Sequence, residues 1–280
     1  MPIWILNDRS QSSNPPPQPG FYPAGGLNVA SYDLRAELDR KLFDDPLPFY
    51  RDQALKTGGP VLELGCGTGR ICAEIAKNGI EVEGLDLSEA MLAIARDKHP
   101  ALTLHHADMC NFDLGRQFAL IIIPFRGLQE IVTAQGQRAA LERAFAHLMP
   151  GGWLVFDLID PDLRYCLPEG DPEIVPLPLF PMPENVGSAA NKLRITAMER
   201  TNNPLTQQFS EHWRFEEITP GGQVLHREDT WHHLRWVHRA EMALMLELCE
   251  FVSISQYSGF NFEPPKYATN QVWMAQRPSR

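Results

Sequence analysis

The sequence predicts an α/β protein, in which a doubly wound, mostly parallel sheet carries an inserted antiparallel β module. Short apolar runs alternate with helical runs from residue 59 to 160, and such alternation places helices on both faces of a parallel sheet. A glycine-rich junction at 65–69 joins the first apolar run to the first helical run. Three runs with a period of two residues then fall between 192 and 236, which is typical of an antiparallel meander.

The alternating region contains five expected strands and three expected helices. The strands are predicted at 61–64, 81–86, 102–106, 119–124 and 153–158, and the helices at 69–77, 88–97 and 136–148. Ligands of such sheets bind at the carboxyl ends of the strands. Gly65, Asp86, Asp108 and Pro124 each end or follow an expected strand, so all four are predicted to lie on one rim.

The flanking segments set the expected domain boundaries. Residues 9–31 are rich in Ser, Asn, Pro and Gly, and residues 1–31 are predicted to form a mobile arm or, alternatively, an extended wrap. The main domain is predicted to comprise 32–160 and 238–280, because a helix and two late strands complete a seven-stranded sheet. Residues 161–237 form the expected insertion, and a Pro-Gly-Gly turn at 220–222 joins its last two strands.

The segment 61–70 reads Val-Leu-Glu-Leu-Gly-Cys-Gly-Thr-Gly-Arg and suggests a nucleoside site. Glycines at a strand-to-helix turn let the backbone bend sharply and let a ligand approach the bare main chain. Asp86 ends the next strand, about twenty residues beyond the first glycine, where a βαβ unit places an acceptor for ribose hydroxyls. The unit is therefore predicted to hold a nucleoside.

The glycine spacing and the nearby acids favour S-adenosylmethionine over a dinucleotide. A dinucleotide fingerprint reads Gly-x-Gly-x-x-Gly, whereas this chain has Gly-x-Gly-x-Gly. Glu63, two residues before the first glycine, would repel a diphosphate and receive the cationic amino group of an amino-acid ligand. Asp108 offers an acceptor for an adenine amino group, and Met109 offers a side chain to pack on the ring.

These motifs resemble those of the class I S-adenosylmethionine-dependent methyltransferases. The matching segments, spread over about 32–153, are Glu-Leu-Gly-Cys-Gly-Thr-Gly at 63–69, Gly-Leu-Asp-Leu-Ser at 84–88, Met-Leu at 91–92, Asp-Met at 108–109 and Pro-Gly-Gly at 150–152. The resemblance implies a Rossmann-like fold with S-adenosylmethionine as cofactor, bound in part through Arg70 at the methionyl carboxylate. The full set of expected cofactor-binding residues is Tyr32, Glu63, Gly65, Cys66, Gly67, Gly69, Arg70, Asp86, Leu87, Met91, Asp108, Met109 and Pro124.

The loop after the fourth strand is the expected place for catalysis, because methyl transfer needs an aligned acceptor and often a base. Arg126, Gln129 and Glu130 are candidates to face the acceptor, and Arg126 and Glu130 are the predicted catalytic residues. Sugar-amine N-methyltransferases, which this segment resembles, have a histidine near the position of Glu130. The base is therefore left open. Glu130 capping the following helix is an alternative, and His232 or His233 of the insertion is a further candidate to reach the acceptor.

Two further clusters have competing interpretations. Asp157, Asp160 and Asp162 resemble the magnesium-binding carboxylates of catechol methyltransferases, but acids around a proline are also typical of turns, and no metal is predicted. The related enzymes place their N-terminal region over the cofactor, which makes four aromatic residues candidates for a lid or, alternatively, ordinary core residues. These four are Tyr22, Tyr32, Phe43 and Tyr50.

Charge and composition narrow the expected acceptor and setting. The net charge of −10 and pI of about 5.4 argue against a nucleic-acid acceptor, and no apolar run is long enough for a membrane span. Five scattered cysteines without a CxxC pair predict reduced thiols and a cytoplasmic protein. The expected function is methyl transfer to N or O of a small molecule, with the insertion as an acceptor cap or a homodimer contact. An NAD-dependent oxidoreductase and a non-catalytic S-adenosylmethionine-binding protein are the alternatives.

Overall fold

The computed structural model describes residues 21–22, 25–42, 45–162, 177–183 and 186–279. Its main sheet has seven strands in the order β10-β11-β5-β4-β1-β2-β3. The strands are β1 Val61–Leu64, β2 Val82–Asp86, β3 Thr103–His106, β4 Phe118–Ile123, β5 Leu148–Ile159, β10 Val252–Tyr257 and β11 Asn270–Gln276. The helices are α1 Leu27–Ala30, α2 Tyr32–Leu42, α3 Pro46–Thr57, α4 Arg70–Ala76, α5 Glu89–Lys98, α6 Ala134–His147 and α7 Arg239–Leu248.

The sheet is parallel from β3 to β5 and antiparallel at the β11 and β10 edge. β1 pairs with β2 on one side and with β4 on the other, so the strand order reverses between β1 and β4. A reversal of this kind opens a crevice at the carboxyl ends of the two strands, where ligands of α/β sheets bind. The predicted α/β fold with a seven-stranded sheet is confirmed, and the glycine loop leaves β1 at this crevice.

The central strands β1 and β4 are largely apolar because helices cover both faces of the sheet, with Glu63 as the charged residue of β1. Leu62 and Leu64 of β1 lie in a core cluster with α6 and α7, and Val61 lies in a second cluster with α3 and α4. Five of the six side chains of β4 are buried, and that of Ala119 is partly buried. Burial on two faces holds the carboxyl ends of β1 and β4 in fixed positions next to each other.

The insertion forms a separate antiparallel sheet, as predicted. Its strands are β6 Phe180–Pro181, β7 Lys192–Asn203, β8 Gln208–Ile218 and β9 Val224–Arg235, in sequential order. The turn before β9 is closed by a hydrogen bond from the Gly222 amide to the Thr219 carbonyl. The end of β9 is tied to the main domain by the buried Arg235, which donates to Gln137 of α6 at 2.7 Å and to Glu241 of α7 at 2.5 Å. This anchor places β9 beside the loop that follows β4.

The N-terminal segment differs from the prediction of a mobile arm over 1–31. Phe21, Leu27 and Asn28 are buried, and the amide of Leu27 donates to the Glu228 carboxylate of β9 at 2.6 Å. Phe21 and Leu27 share a core cluster with Phe215 of β8. The arm prediction was wrong for residues 21–22 and 25–31, because their apolar side chains find a partner surface that only the inserted sheet provides. Residues 1–20, Phe43 and Cys166 lie outside the described residues.

Two predictions for the whole chain concern membrane-spanning segments and the state of the cysteines. None of the helices described there is both long enough and apolar enough to span a membrane. Cys66, Cys72, Cys110 and Cys249 are free thiols.

Candidate active site

The glycine loop between β1 and α4 has the backbone geometry that requires glycine. Gly65, Gly67 and Gly69 have φ values of 74°, 53° and 78°, in the left-handed region that side chains other than glycine rarely adopt. A Cβ atom on Gly65 would lie 3.4 Å from the Met109 Cε, and one on Gly67 would lie 3.7 Å from the Tyr32 ring. The structure therefore brings Met109 and Tyr32 against the bare main chain of the loop.

Asp86 joins the glycine loop to the end of β2. Its Oδ2 accepts a hydrogen bond from the Gly67 amide at 2.7 Å, and its Oδ1 accepts one from the Ser88 amide at 2.7 Å. Burial raises the pKa of this carboxyl, while the Ser88 and Gly67 amides act in the opposite direction. The adjacent Leu87 side chain is exposed, so residues 86–87 present a carboxylate and an apolar surface at the rim.

The other predicted cofactor residues fall into surface and core positions. Asp108 is exposed and accepts from the Cys110 amide at 2.8 Å, which closes the turn after β3. Cys66 and Met91 are buried. The Cys66 Sγ lies 2.8 Å from the position of a Cβ on Gly84, so this thiol packs beneath the loop against β2. The side chains of Cys66 and Met91 therefore support the site from the core.

Glu63 lies beneath the glycine loop and is 2% exposed. Its Oε2 accepts hydrogen bonds from both the amide and the thiol of Cys72, each at 2.9 Å, in the first turn of α4. Burial raises the pKa of Glu63 to about 7, against the opposing effect of the Cys72 donors and the Arg70 charge. The carboxyl thus titrates near neutral pH, directly behind the residues that form the loop.

The N-terminal segment covers this rim. The Tyr22 carbonyl accepts a hydrogen bond from the Ser88 hydroxyl, and the Tyr22 ring meets the Tyr32 ring edge-on at 5.5 Å. The Arg35 guanidinium lies within 5.9 Å of the Tyr22 ring centre and 6.0 Å of the Tyr32 ring centre. Burial raises the pKa of both phenols. Two of the four candidate lid aromatics therefore lie over the glycine loop and the end of β2.

Arg70, the first residue of α4, extends along the same rim. Its guanidinium lies 5.6 Å from the Tyr32 ring centre and 4.9 Å from the Phe125 ring centre, and it forms an ion pair of 3.7 Å with Asp33. This cation therefore stands between the N-terminal cover and the loop after β4. A carboxylate ligand entering there would meet a positive charge at the first turn of a helix.

The loop after β4 has an unusual backbone that a buried carboxylate stabilises. Phe125 and Arg126 have φ values of 53° and 64°, which are uncommon for residues with a side chain. Asp157 of β5 accepts from the Phe125 amide at 2.9 Å, from the Arg126 amide at 3.2 Å and from the Tyr50 hydroxyl at 2.6 Å. Tyr50, predicted as a candidate lid residue, is a fully buried part of this network.

The three acids at the end of β5 have separate structural partners. Asp160 accepts from Gln271 at 2.7 Å and from Arg239 at 3.2 Å, and Asp162 lies 3.4 Å from the Tyr267 hydroxyl. Asp157 is occupied by the loop after β4. Within the described ranges, no group of three His, Cys, Asp or Glu side chains is arranged to hold a metal ion.

The structure separates the three polar residues that the sequence placed at the acceptor. Gln129 is buried and bonds to the main chain of Ile159 in both directions. Arg126 lines a cavity of about 600 Å³ between the loop after β4 and the β10–β11 connection, and of the predicted site residues only Arg126 borders it. Glu130 points elsewhere, towards the inserted sheet.

Glu130 is paired with His232 of β9, with 2.7 Å between Oε1 and Nε2. The helix-cap alternative for Glu130 is wrong, because Thr133 caps α6 by accepting from the Gly136 amide at 3.1 Å. The His232 ring stacks on Phe21 with 4.3 Å between ring centres. His233 lies on the opposite face of the strand, where its Nδ1 is 2.7 Å from the Ser210 hydroxyl. Of the two histidines, His232 is therefore the one that reaches the loop after β4.

Residues 61–152 match a protein-family model described as a methyltransferase domain. Over this range the chain therefore has a methyltransferase domain. The matched range includes β1 to β4, the glycine loop, Asp86 and Asp108–Met109. It ends within β5, so the N-terminal cover, the inserted sheet and the C-terminal strands lie outside it.

Curated relatives match the methyltransferase domain over part of their length. The chain is 41% identical over 97 residues to a dTDP-3-amino-3,6-dideoxy-alpha-D-glucopyranose N,N-dimethyltransferase of Streptomyces fradiae, covering 35% of this chain and 38% of the relative. It is 37% identical over 97 residues to a dTDP-3-amino-3,4,6-trideoxy-alpha-D-glucopyranose N,N-dimethyltransferase of Streptomyces venezuelae, covering 35% and 41%. The chain therefore aligns with about two fifths of the length of these relatives.

Solved structures extend the likeness of fold to most of the chain. The CcbJ methyltransferase from Streptomyces caelestis superposes with a TM-score of 0.68 at 21% identity, covering 93% of this chain and 99% of that one. Streptomyces venezuelae DesVI superposes with a TM-score of 0.66 at 22% identity, covering 90% and 98%. The common fold thus includes regions beyond the matched methyltransferase domain.

The sequence did not reveal the partners of two residues of the site, Asp157 and His232. The role of Asp157 under the loop after β4 has no local signal, because its three donors come from residues 31, 32 and 107 positions away. His232 lies 102 positions from Glu130. The alternating polar and apolar residues predicted that His232 lies in a strand, but they did not identify Glu130 as its hydrogen-bond partner.

We expect the stability of the ligand-free methyltransferase domain to depend on pH through Glu63. Its pKa is about 7 in the folded state against an ordinary 4.5, so the folded state binds the proton more tightly. This stabilisation amounts to about 3 kcal/mol, at 1.36 kcal/mol per pKa unit. It is fully present below pH 4.5, decreases as the pH rises from 4.5, and is lost as the pH passes through 7. Urea unfolding of the wild type and of Glu63→Gln at pH 5 to 8 measures the difference. A stability difference that stays constant over this range would contradict the expectation.

Proposed function

We propose that this chain is an S-adenosylmethionine-dependent methyltransferase that transfers the methyl group to an amine nitrogen of a small molecule, with amino sugars as the acceptor class. The observation that carries the proposal is the glycine loop, where Met109 lies against Gly65, Tyr32 lies against Gly67 and Asp86 bonds to the Gly67 amide. Bare backbone flanked by an apolar side chain, an aromatic ring and a carboxylate suits an adenosyl group.

The proposed cofactor position follows the rim from β3 to α4. Asp108 and Met109 would hold the adenine, Asp86 and Leu87 the ribose, and Arg70 the methionyl carboxylate. Glu63, which is buried beneath the loop and accepts from the Cys72 amide in the first turn of α4, would attract the amino group of the ligand when its carboxyl is ionised. Pro124 and Phe125 would then border the sulfonium. An acidic carboxyl beneath the loop disfavours a dinucleotide, whose diphosphate carries negative charge.

Nitrogen is preferred to oxygen as the acceptor atom for two reasons. The relatives from Streptomyces fradiae and Streptomyces venezuelae are named as N,N-dimethyltransferases of dTDP-linked amino sugars. The rim also carries the carboxylates of Asp86 and Glu130, which favour an amine that enters or leaves as an ammonium ion. An amine nitrogen attacks the sulfonium methyl directly with its lone pair and becomes an ammonium nitrogen. One group that accepts the ammonium proton is therefore sufficient.

The remaining parts of the proposal concern setting and partners. A net charge of −10 supports a small acceptor in preference to a nucleic acid. The inserted sheet is proposed as a cap on the acceptor, because β9 contacts the loop after β4 through His232 and Arg235. A homodimer contact through the same sheet and a cytoplasmic location stay predictions.

Two experiments test the proposed function in sequence. Isothermal titration with S-adenosylmethionine and, separately, with NAD should show binding of the first only. Incubation with labelled methyl donor and a library of amino sugars, other amines and matched alcohols should then label amines preferentially. Binding of NAD alone would revive the oxidoreductase alternative, and S-adenosylmethionine binding without label transfer to any acceptor would favour the non-catalytic one. Label on alcohols only would move the acceptor atom to oxygen.

A further inference from the structure

We propose that His232, which the inserted sheet brings to the loop after β4, is the group that accepts the proton of the acceptor amine, and that Glu130 orients it. This inference rests on the proposed function. It assigns the base to a residue that lies outside the matched methyltransferase domain and 102 positions from its partner.

The first support is the geometry of the pair. The Glu130 Oε1 is 2.7 Å from the His232 Nε2, so the carboxylate accepts a hydrogen bond from Nε2–H and leaves Nδ1 with its lone pair. A carboxylate on one ring nitrogen fixes the tautomer and stabilises the imidazolium that forms when the other nitrogen takes a proton. The His232 ring is also held by stacking on Phe21.

The second support is the route from the pair to the glycine loop. Phe21 meets Tyr22 edge-on at 4.7 Å, and Tyr22 meets Tyr32 at 5.5 Å. Tyr32 lies against Gly67. A continuous set of aromatic contacts therefore connects His232 to the proposed cofactor position. In addition, burial and the negative charge of Glu130 both raise the pKa of the Asp86 carboxyl.

The third support is accessibility. The side chains of Glu130 and His232 are 38% and 16% exposed, so both are open to an incoming molecule in the ligand-free structure. Titratable groups near His232 are Glu130 on the loop after β4, His233 beside it and Glu211 opposite it on β8, and the Arg35 guanidinium lies 5.7 Å from the centre of the Phe21 ring that stacks on His232. Glu211 is engaged with Arg200 and Trp213, which leaves Glu130 as the carboxylate bonded to the imidazole.

Methyl transfer to the amine releases one proton. The amine nitrogen donates its lone pair to the methyl carbon, the carbon–sulfur bond breaks, and its electron pair returns to sulfur to leave neutral S-adenosylhomocysteine. The new C–N bond makes the nitrogen an ammonium ion, whose proton passes to the Nδ1 of His232. An acceptor that enters as a protonated amine loses its first proton to the same nitrogen before attack. The resulting imidazolium is held by Glu130 until its proton passes to water.

Matched variants test this assignment. His232→Gln retains a donor nitrogen that corresponds to Nε2 but lacks a basic nitrogen, so turnover should fall about 100-fold or more with the affinity for S-adenosylmethionine kept within about twofold. Glu130→Gln keeps the shape and removes the charge, and a loss of about tenfold is expected. The control His233→Asn alters the opposite strand face and should leave turnover unchanged.

A second readout separates a base from a structural residue. The deficit of His232→Gln should shrink as the pH rises to about 10, where most amines are neutral and hydroxide takes the proton, and added imidazole should restore part of the activity of His232→Ala. Wild-type turnover in His232→Gln at saturating acceptor, or a deficit that neither pH nor imidazole relieves, would overturn the assignment. Absence of methyl transfer by the wild type would instead count against the proposed function.

Discussion

Asp86→Ala should weaken the binding of S-adenosylmethionine by about 1–3 kcal/mol, or roughly 5- to 150-fold. Both carboxylate oxygens already accept from backbone amides of Gly67 and Ser88, and each oxygen has further lone pairs for ribose hydroxyls. Alanine removes the charge-assisted acceptors for the ribose and also releases the amide of the glycine loop. Isothermal titration with S-adenosylmethionine measures the change directly.

The control for Asp86 is Asp97→Ala, which removes an exposed carboxylate from α5 with the same change of net charge. Its affinity for S-adenosylmethionine should stay at the wild-type value. Asp86→Asn should lie between the wild type and Asp86→Ala, since the amide oxygen still accepts but carries no charge. Wild-type affinity in Asp86→Ala, with a folded protein by circular dichroism, would move the ribose away from the end of β2.

Asp157→Ala should lower the free energy of unfolding by about 3 kcal/mol or more, which is the larger of the two expected effects on the molecule. The substitution leaves the amides of Phe125 and Arg126 and the hydroxyl of Tyr50 without their acceptor in a buried region. It also removes the group that stabilises two left-handed residues, so the loop that would border the sulfonium should change conformation and methyl transfer should fall. Urea unfolding and the methyl-transfer assay measure the two consequences.

Tyr50→Phe is the graded comparison for Asp157, because it deletes one of the three hydrogen bonds and keeps the ring in the core. A loss of about 1 kcal/mol is expected, with methyl transfer largely retained. If Asp157→Ala cost no more than Tyr50→Phe, the carboxylate would not be what stabilises the loop after β4.

The geometry of the glycine loop and the position of Asp86 were predictable because their signals are local in sequence. Positive φ values at Gly65, Gly67 and Gly69 are a property of one tight turn, and the sequence shows them as glycines at a strand-to-helix junction. Asp86 ends the next strand of the same βαβ unit, so its distance along the chain determines its position on the rim. Each of these residues depends on a neighbour within one supersecondary unit.

The contacts of the loop after β4 could not be predicted to the same degree. From the sequence, Asp157 was a candidate turn former or metal ligand, Tyr50 a candidate lid or core residue, and Glu130 a candidate base or helix cap. In the structure Asp157 and Tyr50 stabilise the loop after β4, and Glu130 pairs with a histidine of the inserted sheet. A carboxylate in a sequence is compatible with all of these roles, and its partner decides among them.

By itself the sequence determined the α/β fold, three of the four strands of the inserted sheet and the glycine loop, because hydrophobic periodicity and glycine geometry operate over a few residues. Only the tertiary structure decided that the segment around Phe21 is packed and that His232 meets Glu130. Those contacts join three parts of the chain that have no periodic relation to one another. Arg235 also docks the inserted sheet on α6 and α7, and packing of this kind between distant surfaces has no signal in local sequence.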